Sequence, residues 1–128
     1  MNDKEVQQII MEEELRQKTV LRMIPSECQV SKDVMEATSS VFMQKYAEGY
    51  PNGPNNPNGF RYYQGNENVD KIENLCIERA KEAFNLPDDW HVNVQALSGS
   101  PANIAVYTAL CSIGDKVVGL GLNSGGWC

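Results

Sequence analysis

The chain has 128 residues, with 11 Lys plus Arg against 17 Asp plus Glu and a formal net charge of −6. A chain of this length makes one small domain that buries about two-thirds of its unfolded surface, and an acidic balance without a Lys/Arg run lacks the electrostatic footprint of phosphate-backbone binding, so no nucleic-acid partner is expected. No apolar run approaches the ~20 residues of a membrane span and the N-terminus is too charged for a signal peptide, so the expectation is a soluble, cytoplasmic protein with no membrane partner.

From Asn2 to about Thr19 the chain is dense in Glu, Gln and Lys, with Val6, Ile9, Ile10 and Leu15 near helical spacing, which predicts a surface or arm helix over 1–20. Leu21 to Gln29 reads as extended, because Pro25 disfavours helix at Ile24. Ser31 then caps a helix whose face is Val34, Met35, Thr38, Val41 and Phe42, ending near Lys45. Residues 46–66 hold Pro51, Pro54 and Pro57 with Gly49, Gly53, Gly59 and Gly65 and five asparagines, so no regular element persists there. Loops longer than about 12–15 residues tend to be functional or disordered. The stretch 51–59 is turn-forming, and its flanks carry Tyr46, Glu48, Tyr50, Phe60, Arg61, Tyr62 and Tyr63.

Asn68 to Phe84 patterns as an amphipathic helix with Val69, Ile72, Cys76, Ala80 and Ala83 inward, stopped by Pro87. His91 to Leu97 alternates like a strand. Ser98-Gly99-Ser100-Pro101 follows, with Ser100 read as N-cap and Pro101 as the first residue of an apolar helix, Ala102 to Cys111. Gly114-Asp115 is a turn, Lys116 to Leu122 a second strand, and 123–128 a stub. Two strands around a helix are the opening of an α/β sheet. Segments 1–20, 21–67 and 68–128 are therefore expected as an arm helix, a segment centred on the loop 51–59, and the start of an α/β domain.

Cys28, Cys76, Cys111 and Cys128 form no CxxC pair and His91 stands alone, so no metal site is expected and the thiols are read as reduced, three of them packed as small apolar groups. A strand, Ser98-Gly99-Ser100 and then a helix place unpaired N–H groups and partial positive charge where a phosphate can sit, although the same tetrapeptide is also an ordinary capped loop. Neither a Walker pattern nor GxGxxG is present. Around the loop, Tyr46, Glu48, Tyr50, Arg61, Tyr62, Tyr63 and Glu67 suit anion positioning and proton transfer, or equally an interface.

Ile24-Pro25-Ser26-Glu27, KYAEGYP at 45–51, RYYQGNE at 61–67 and VNVQALSGSPANIAVYTAL at 92–110, in that order and spacing, resemble the N-terminal part of serine hydroxymethyltransferase. The resemblance implies the incomplete N-terminal portion of an aspartate-aminotransferase-like, fold type I architecture. It implies pyridoxal 5'-phosphate as cofactor, serine, glycine and tetrahydrofolate as small-molecule substrates, and a homo-oligomer. By the same resemblance 21–67 is a substrate- and dimer-contact segment and 68–128 the start of the cofactor-binding α/β domain; Ser26 lies near the substrate carboxylate, Tyr46, Glu48 and Tyr63 reach into a neighbouring subunit's site, and Glu48 is the proton-transfer carboxylate. Ser98, Gly99 and Ser100 match the cofactor phosphate loop. The family's ring-stacking histidine is replaced by Trp127, and its Ala before the serine by Pro25. None of the lysines Lys4, Lys18, Lys32, Lys45, Lys71, Lys81 and Lys116 has the setting of the lysine that holds the cofactor covalently. The expectation is a truncated form inactive alone, the alternative being a non-catalytic short paralogue that binds a full-length subunit.

Overall fold

The computed structural model describes residues 2–54 and 56–126, in two units, Met1–Lys45 and Tyr46–Cys128. Trp127, assigned above to the cofactor ring, lies outside the described residues.

In the first unit, α1 spans Lys4–Thr19. Its composition of Glu, Gln, Met, Leu, Arg and Lys favours helix, and Asp3 caps it by accepting from the Glu5 and Val6 N–H groups at 3.1 Å. It ends at Val20, whose backbone is extended. Ile24 to Glu27 form a turn closed by the Glu27 N–H on the Ile24 carbonyl at 3.1 Å, with Pro25 at the second position, where its fixed φ suits a turn. The expected extended run 21–29 is therefore interrupted. α2 covers only Lys32–Thr38, capped by Ser31, and a separate 3-10 turn, Val41–Gln44, follows. One helix to Lys45 was expected. The break falls at Thr38-Ser39-Ser40, whose hydroxyls compete for backbone partners: Thr38 bonds the Val34 carbonyl, Ser39 the Met35 carbonyl, and Ser40 caps Phe42.

In the second unit, 46–66 is a narrow hairpin of turns. Gly49 and Arg61 form an antiparallel bridge, flanked by Tyr50 N–H on the Phe60 carbonyl (2.9 Å) and Tyr62 N–H on the Glu48 carbonyl (3.2 Å). Gly49 has φ +103°, open to glycine without strain. At the tip Gly53 and Asn56 exchange two backbone hydrogen bonds. α3, Glu67–Ala83, starts at Asn66 with Glu67 and Asp70 in its first turn and Lys81 in its last, the order that complements the helix dipole. It stops in a Schellman arrangement, with Asn85 at φ +49°, Leu86 N–H on the Lys81 carbonyl and Asn85 N–H on the Glu82 carbonyl.

The stripe of α3 that faces its unit is Asp70, Glu73, Asn74 and Ile77, spaced i, i+3, i+4, i+7. This lies roughly a third of a turn from the expected Val69, Ile72 and Cys76 face. Ile77 is buried, whereas Ile72, Leu75 and Cys76 are exposed. Cys28 and Cys111 are exposed as well, so the expected packing of the thiols is not found.

α4 is Gly99–Leu110. Its N-cap is Ser98 rather than Ser100, which puts Pro101 third in the helix, still within the first turn that tolerates proline. The Ser112–Asp115 turn follows as expected, closed by Asp115 N–H on the Ser112 carbonyl, with the Asp115 carboxylate accepting from Ser112 N–H at 2.7 Å. Neither 91–97 nor 116–122 is a strand: among the described residues the β pairing consists of two isolated bridges, Gly49–Arg61 and Gly53–Asn56. Among the described residues the regular elements are therefore helical, and the two strands of the α/β expectation are not formed. Alternating side chains give a segment the capacity for a ladder, but a strand exists only where a neighbouring backbone completes its hydrogen bonds.

Candidate functional site

Arg61 organises the hairpin. Its side chain is 6% exposed and spends its donors on four acceptors. Nε reaches Asp70 Oδ1 at 2.8 Å, Nη2 reaches Glu73 Oε2 at 2.6 Å, and Nη1 reaches the Ala47 and Gly49 carbonyls, each at 2.8 Å. Burial opposes the charge, but the bonds from Glu73 and Asp70 outweigh it and raise the guanidinium's pKa further. The two gripped carbonyls flank Glu48. The carboxylate expected to move a proton therefore sits on a turn held from both sides, with its own side chain exposed.

Tyr46 and Tyr63 come together, their rings edge-to-face with centroids 5.0 Å apart and planes at 80°. Beneath them Asn66, 4% exposed, donates its amide to the Tyr63 carbonyl at 2.8 Å and the Tyr46 carbonyl at 3.5 Å. Its Oδ1 has no hydrogen-bond partner. Phe60 and Tyr62 make a second edge-to-face pair at 5.3 Å.

The tip of the hairpin is tied to α3. Asn74 donates to the Asn52 carbonyl at 3.0 Å, and Asn52 N–H points to Asp70 Oδ2 at 3.5 Å. A cleft of about 100 Å³ opens beside this contact, lined by Tyr50, Asn74, Ile77, Lys81 and His91 among others. No group of three or more His, Cys, Asp or Glu able to hold a metal occurs among the described residues.

Gln95, three residues before Ser98, links this region to the loop ahead of α4. Its Nε2 donates to the Gly49 carbonyl at 2.8 Å and to Glu73 Oε1 at 2.6 Å. At α4 itself the Ser98 side chain makes no capping bond and no acidic residue occupies the first turn. The first N–H groups of a helix have no intrahelical acceptor. Because Pro101 has no N–H and Ala102 N–H reaches the Ser98 carbonyl at 3.2 Å, the donor set comes to the Gly99 and Ser100 amides and the Ser98 and Ser100 hydroxyls. Four donors with no acidic residue in the helix's first turn match the chemistry of a phosphate dianion.

Ser26 is exposed, third in the Ile24–Glu27 turn of the first unit. Of the residues singled out from sequence, Tyr46, Glu48, Arg61 and Tyr63 share the hairpin, and the Ser98 loop connects to it through Gln95. Asp70, Glu73, Asn66 and Gln95 were missed. One signal was available for the first two: acids at i and i+3 on one helix, following a loop arginine.

No helix among the described residues is long and apolar enough to cross a membrane. A family model described as serine hydroxymethyltransferase matches residues 1–128. Among curated proteins, the chain is 49% identical to a serine hydroxymethyltransferase of Acidothermus cellulolyticus over 97% of its own length and 27% of the relative's. It is 50% identical to one of Caenorhabditis briggsae over 97% and 23%, and 49% identical to a cytosolic one of Candida glabrata over 97% and 25%. The chain thus spans about a quarter of the length of the curated relatives it matches. With the family match running through the Tyr46–Tyr63 hairpin, the Arg61 grip and the Ser98 loop alike, this chain belongs to the serine hydroxymethyltransferase family.

Proposed function

We propose that the chain supplies its share of a pyridoxal-phosphate site that interconverts serine and glycine and passes the one-carbon unit to tetrahydrofolate. The observation that carries this reading is the donor set at the start of α4, the Gly99 and Ser100 amides and the Ser98 and Ser100 hydroxyls, with no acidic residue in the first turn. Ser98, Gly99 and Ser100 would hold the cofactor phosphate. Pyridoxal phosphate, when bound, withdraws electrons from the amino acid's α-carbon. Glu48 takes or gives the proton at its carboxylate, on a turn that Arg61 keeps from swinging away. Tyr46 and Tyr63 present their phenols beside it, positioned by Asn66. Ser26 offers a hydroxyl to the substrate carboxylate. No lysine here takes the covalent role, so turnover requires residues beyond those of this chain, and a chain of this sequence on its own is inactive. The Tyr46–Tyr63 hairpin is proposed to serve a neighbouring subunit's site in a cytoplasmic oligomer.

The test is a chimaera in which the matching segment of the Acidothermus cellulolyticus relative is replaced by this chain. It should form glycine from serine in the presence of tetrahydrofolate. Glu48→Gln in that chimaera should lower kcat by about 10²–10⁴-fold, the usual span for a removed proton-transfer group. A chimaera that binds pyridoxal phosphate yet keeps full activity with Glu48→Gln removes the assignment of Glu48.

A further inference from the structure

Asn52-Gly53 and Asn58-Gly59 are the two Asn-Gly pairs of the sequence, and both lie in the hairpin tip. Where glycine follows asparagine, no Cβ stands between the backbone nitrogen and the side-chain amide carbon, so that nitrogen can attack it. Attack requires the peptide plane between the two residues to turn and its N–H to give up a proton. The two planes are held differently. Between Asn52 and Gly53 both ends are clamped, with Asn74 donating to the Asn52 carbonyl at 3.0 Å and the Gly53 N–H on the Asn56 carbonyl at 3.2 Å. Asp70, whose Oδ2 is 3.5 Å from the Asn52 nitrogen, adds a negative charge that opposes deprotonation next door. Between Asn58 and Gly59 one end is held, by the Gly59 N–H on the Asn56 carbonyl at 3.0 Å. The Asn58 carbonyl has no hydrogen-bond partner among the described residues, and Asn58 is exposed.

We propose that Asn58-Gly59 is a site of spontaneous covalent modification, and that Asn74 and Asp70 shield Asn52-Gly53 from the same reaction. The Gly59 nitrogen bonds to Asn58 Cγ, the Cγ–Nδ2 bond breaks, and the nitrogen released leaves as ammonia with the proton that Gly59 gave up. The cyclic imide then takes up one water. Opening at Cγ yields aspartate, and opening at the Asn58 backbone carbonyl yields isoaspartate. Either product adds one negative charge to the net −6. In the imide Gly59 has no hydrogen left for the Asn56 carbonyl, and isoaspartate puts one more methylene into the backbone just ahead of Gly59. There is no slack for it there, because even a Cβ on Gly59 would run into the Pro51 carbonyl. The isoaspartate form therefore opens the tip, while the Arg61 grip at the base of the hairpin is untouched.

The experiment keeps the full chain at mildly alkaline pH in native buffer and, in parallel, in urea. The tryptic peptide 46–61, bounded by Lys45 and Arg61, is followed over time by mass spectrometry. Each amide converted to a carboxylate adds about 1 Da, and electron-transfer fragmentation locates it and tells isoaspartate from aspartate. Both pairs are read in the same molecules, so each is the other's reference and the ratio needs no sharp melting elsewhere in the chain. In native buffer Asn58 should convert about tenfold faster than Asn52, the effect of one extra clamp and one opposing charge; in urea the two rates should converge. Asn74→Ala should raise the Asn52 rate towards that of Asn58 and leave the Asn58 rate at its native value. If that variant unfolds, both sites take their urea rates, and Asn58→Gln decides instead by removing about nine-tenths of the conversion in the peptide in native buffer. Equal rates in native buffer, faster conversion at Asn52, or an Asn58 amide that persists in native buffer while urea converts it overturns the proposal. An Asn52 rate unmoved in folded Asn74→Ala overturns the shielding by Asn74.

Discussion

Arg61 and Asp70 are nine residues apart in sequence and 2.8 Å apart at Nε and Oδ1, with the arginine side chain 6% exposed. A buried pair of this kind is a poor source of net stability, but removing one partner strands the other's charge away from water. Here loss of the arginine leaves Asp70 with only the long Asn52 N–H contact, leaves Glu73 and the Gly49 carbonyl to Gln95, and takes a donor from the Ala47 carbonyl. Arg61→Ala should therefore weaken the hairpin by about 3 kcal/mol, read as faster hydrogen exchange at the Tyr50 and Tyr62 amides. Arg61→Lys should recover less than half, because a single ammonium cannot reproduce a fork aimed at four acceptors. Full recovery with Lys would mean that charge alone matters there.

Asn74 holds the hairpin tip through the Asn52 carbonyl at 3.0 Å, and a side chain at Gly53 would run into Asn74. Asn74→Ala should cost about 1 kcal/mol locally and loosen Gly53 and Asn56, visible as amide exchange confined to 52–59. Gly53→Ala should give the same pattern by pushing Asn74 aside. Exchange that also rises at Arg61 would show that tip and base open together.

In α1, Glu13 accepts from Arg16 and Gln17 at 2.7–2.8 Å, and these bonds, Arg16 first, hold its carboxyl at about 2 rather than 4.5. A carboxyl depressed in the folded state contributes stability that is complete above about 4.5 and fades as pH falls towards 2. Arg16→Gln should return the Glu13 midpoint towards 4.5, measured by ¹³C titration of the carboxyl carbon. An unchanged midpoint would mean the pair does not persist in solution.

Apolar exposure gives the fourth prediction. Leu110 is 78% and Val118 97% exposed, and α4, apolar on every side, has no buried residue among those described. Exposed apolar surface on this scale binds hydrophobic dyes and does not melt sharply. The purified chain should enhance ANS fluorescence and show a broad, weakly cooperative thermal transition. A sharp calorimetric peak with matching van't Hoff enthalpy would contradict this.

Reading by sequence succeeded where the determinants are local. Ser31 caps α2 by its own side chain, and α3 ends short of Pro87. A helix follows Ser98 as its Ser-Gly-Ser-Pro stretch predicts, although it begins at Gly99 and not after Ser100. The reading failed where a partner decides. Residues 91–97 alternate and 116–122 form a short apolar run, as strands do, yet among the described residues no neighbouring backbone completes a ladder with them. The inward face of α3 was misjudged because apolar periodicity assumes that burial chooses the face, whereas Arg61, Gln95 and Asn52 choose it through Glu73, Asp70 and Asn74. Gln95 gave no signal at all, since a lone glutamine in an alternating run looks like any solvent-facing position.

That polar stripe makes α3 behave as a key. An apolar face tolerates small rotations, because one methyl contact replaces another; hydrogen bonds at fixed angles do not. Inserting one residue before Asp70 would turn the following stripe by about 100°, and Arg61, Gln95 and Asn52 would all lose their partners in one step. Single-residue insertions or deletions ahead of Asp70 in α3 are therefore all-or-none events for the whole hairpin, whereas changes to its exposed Ile72 and Leu75 side are free to accumulate one at a time.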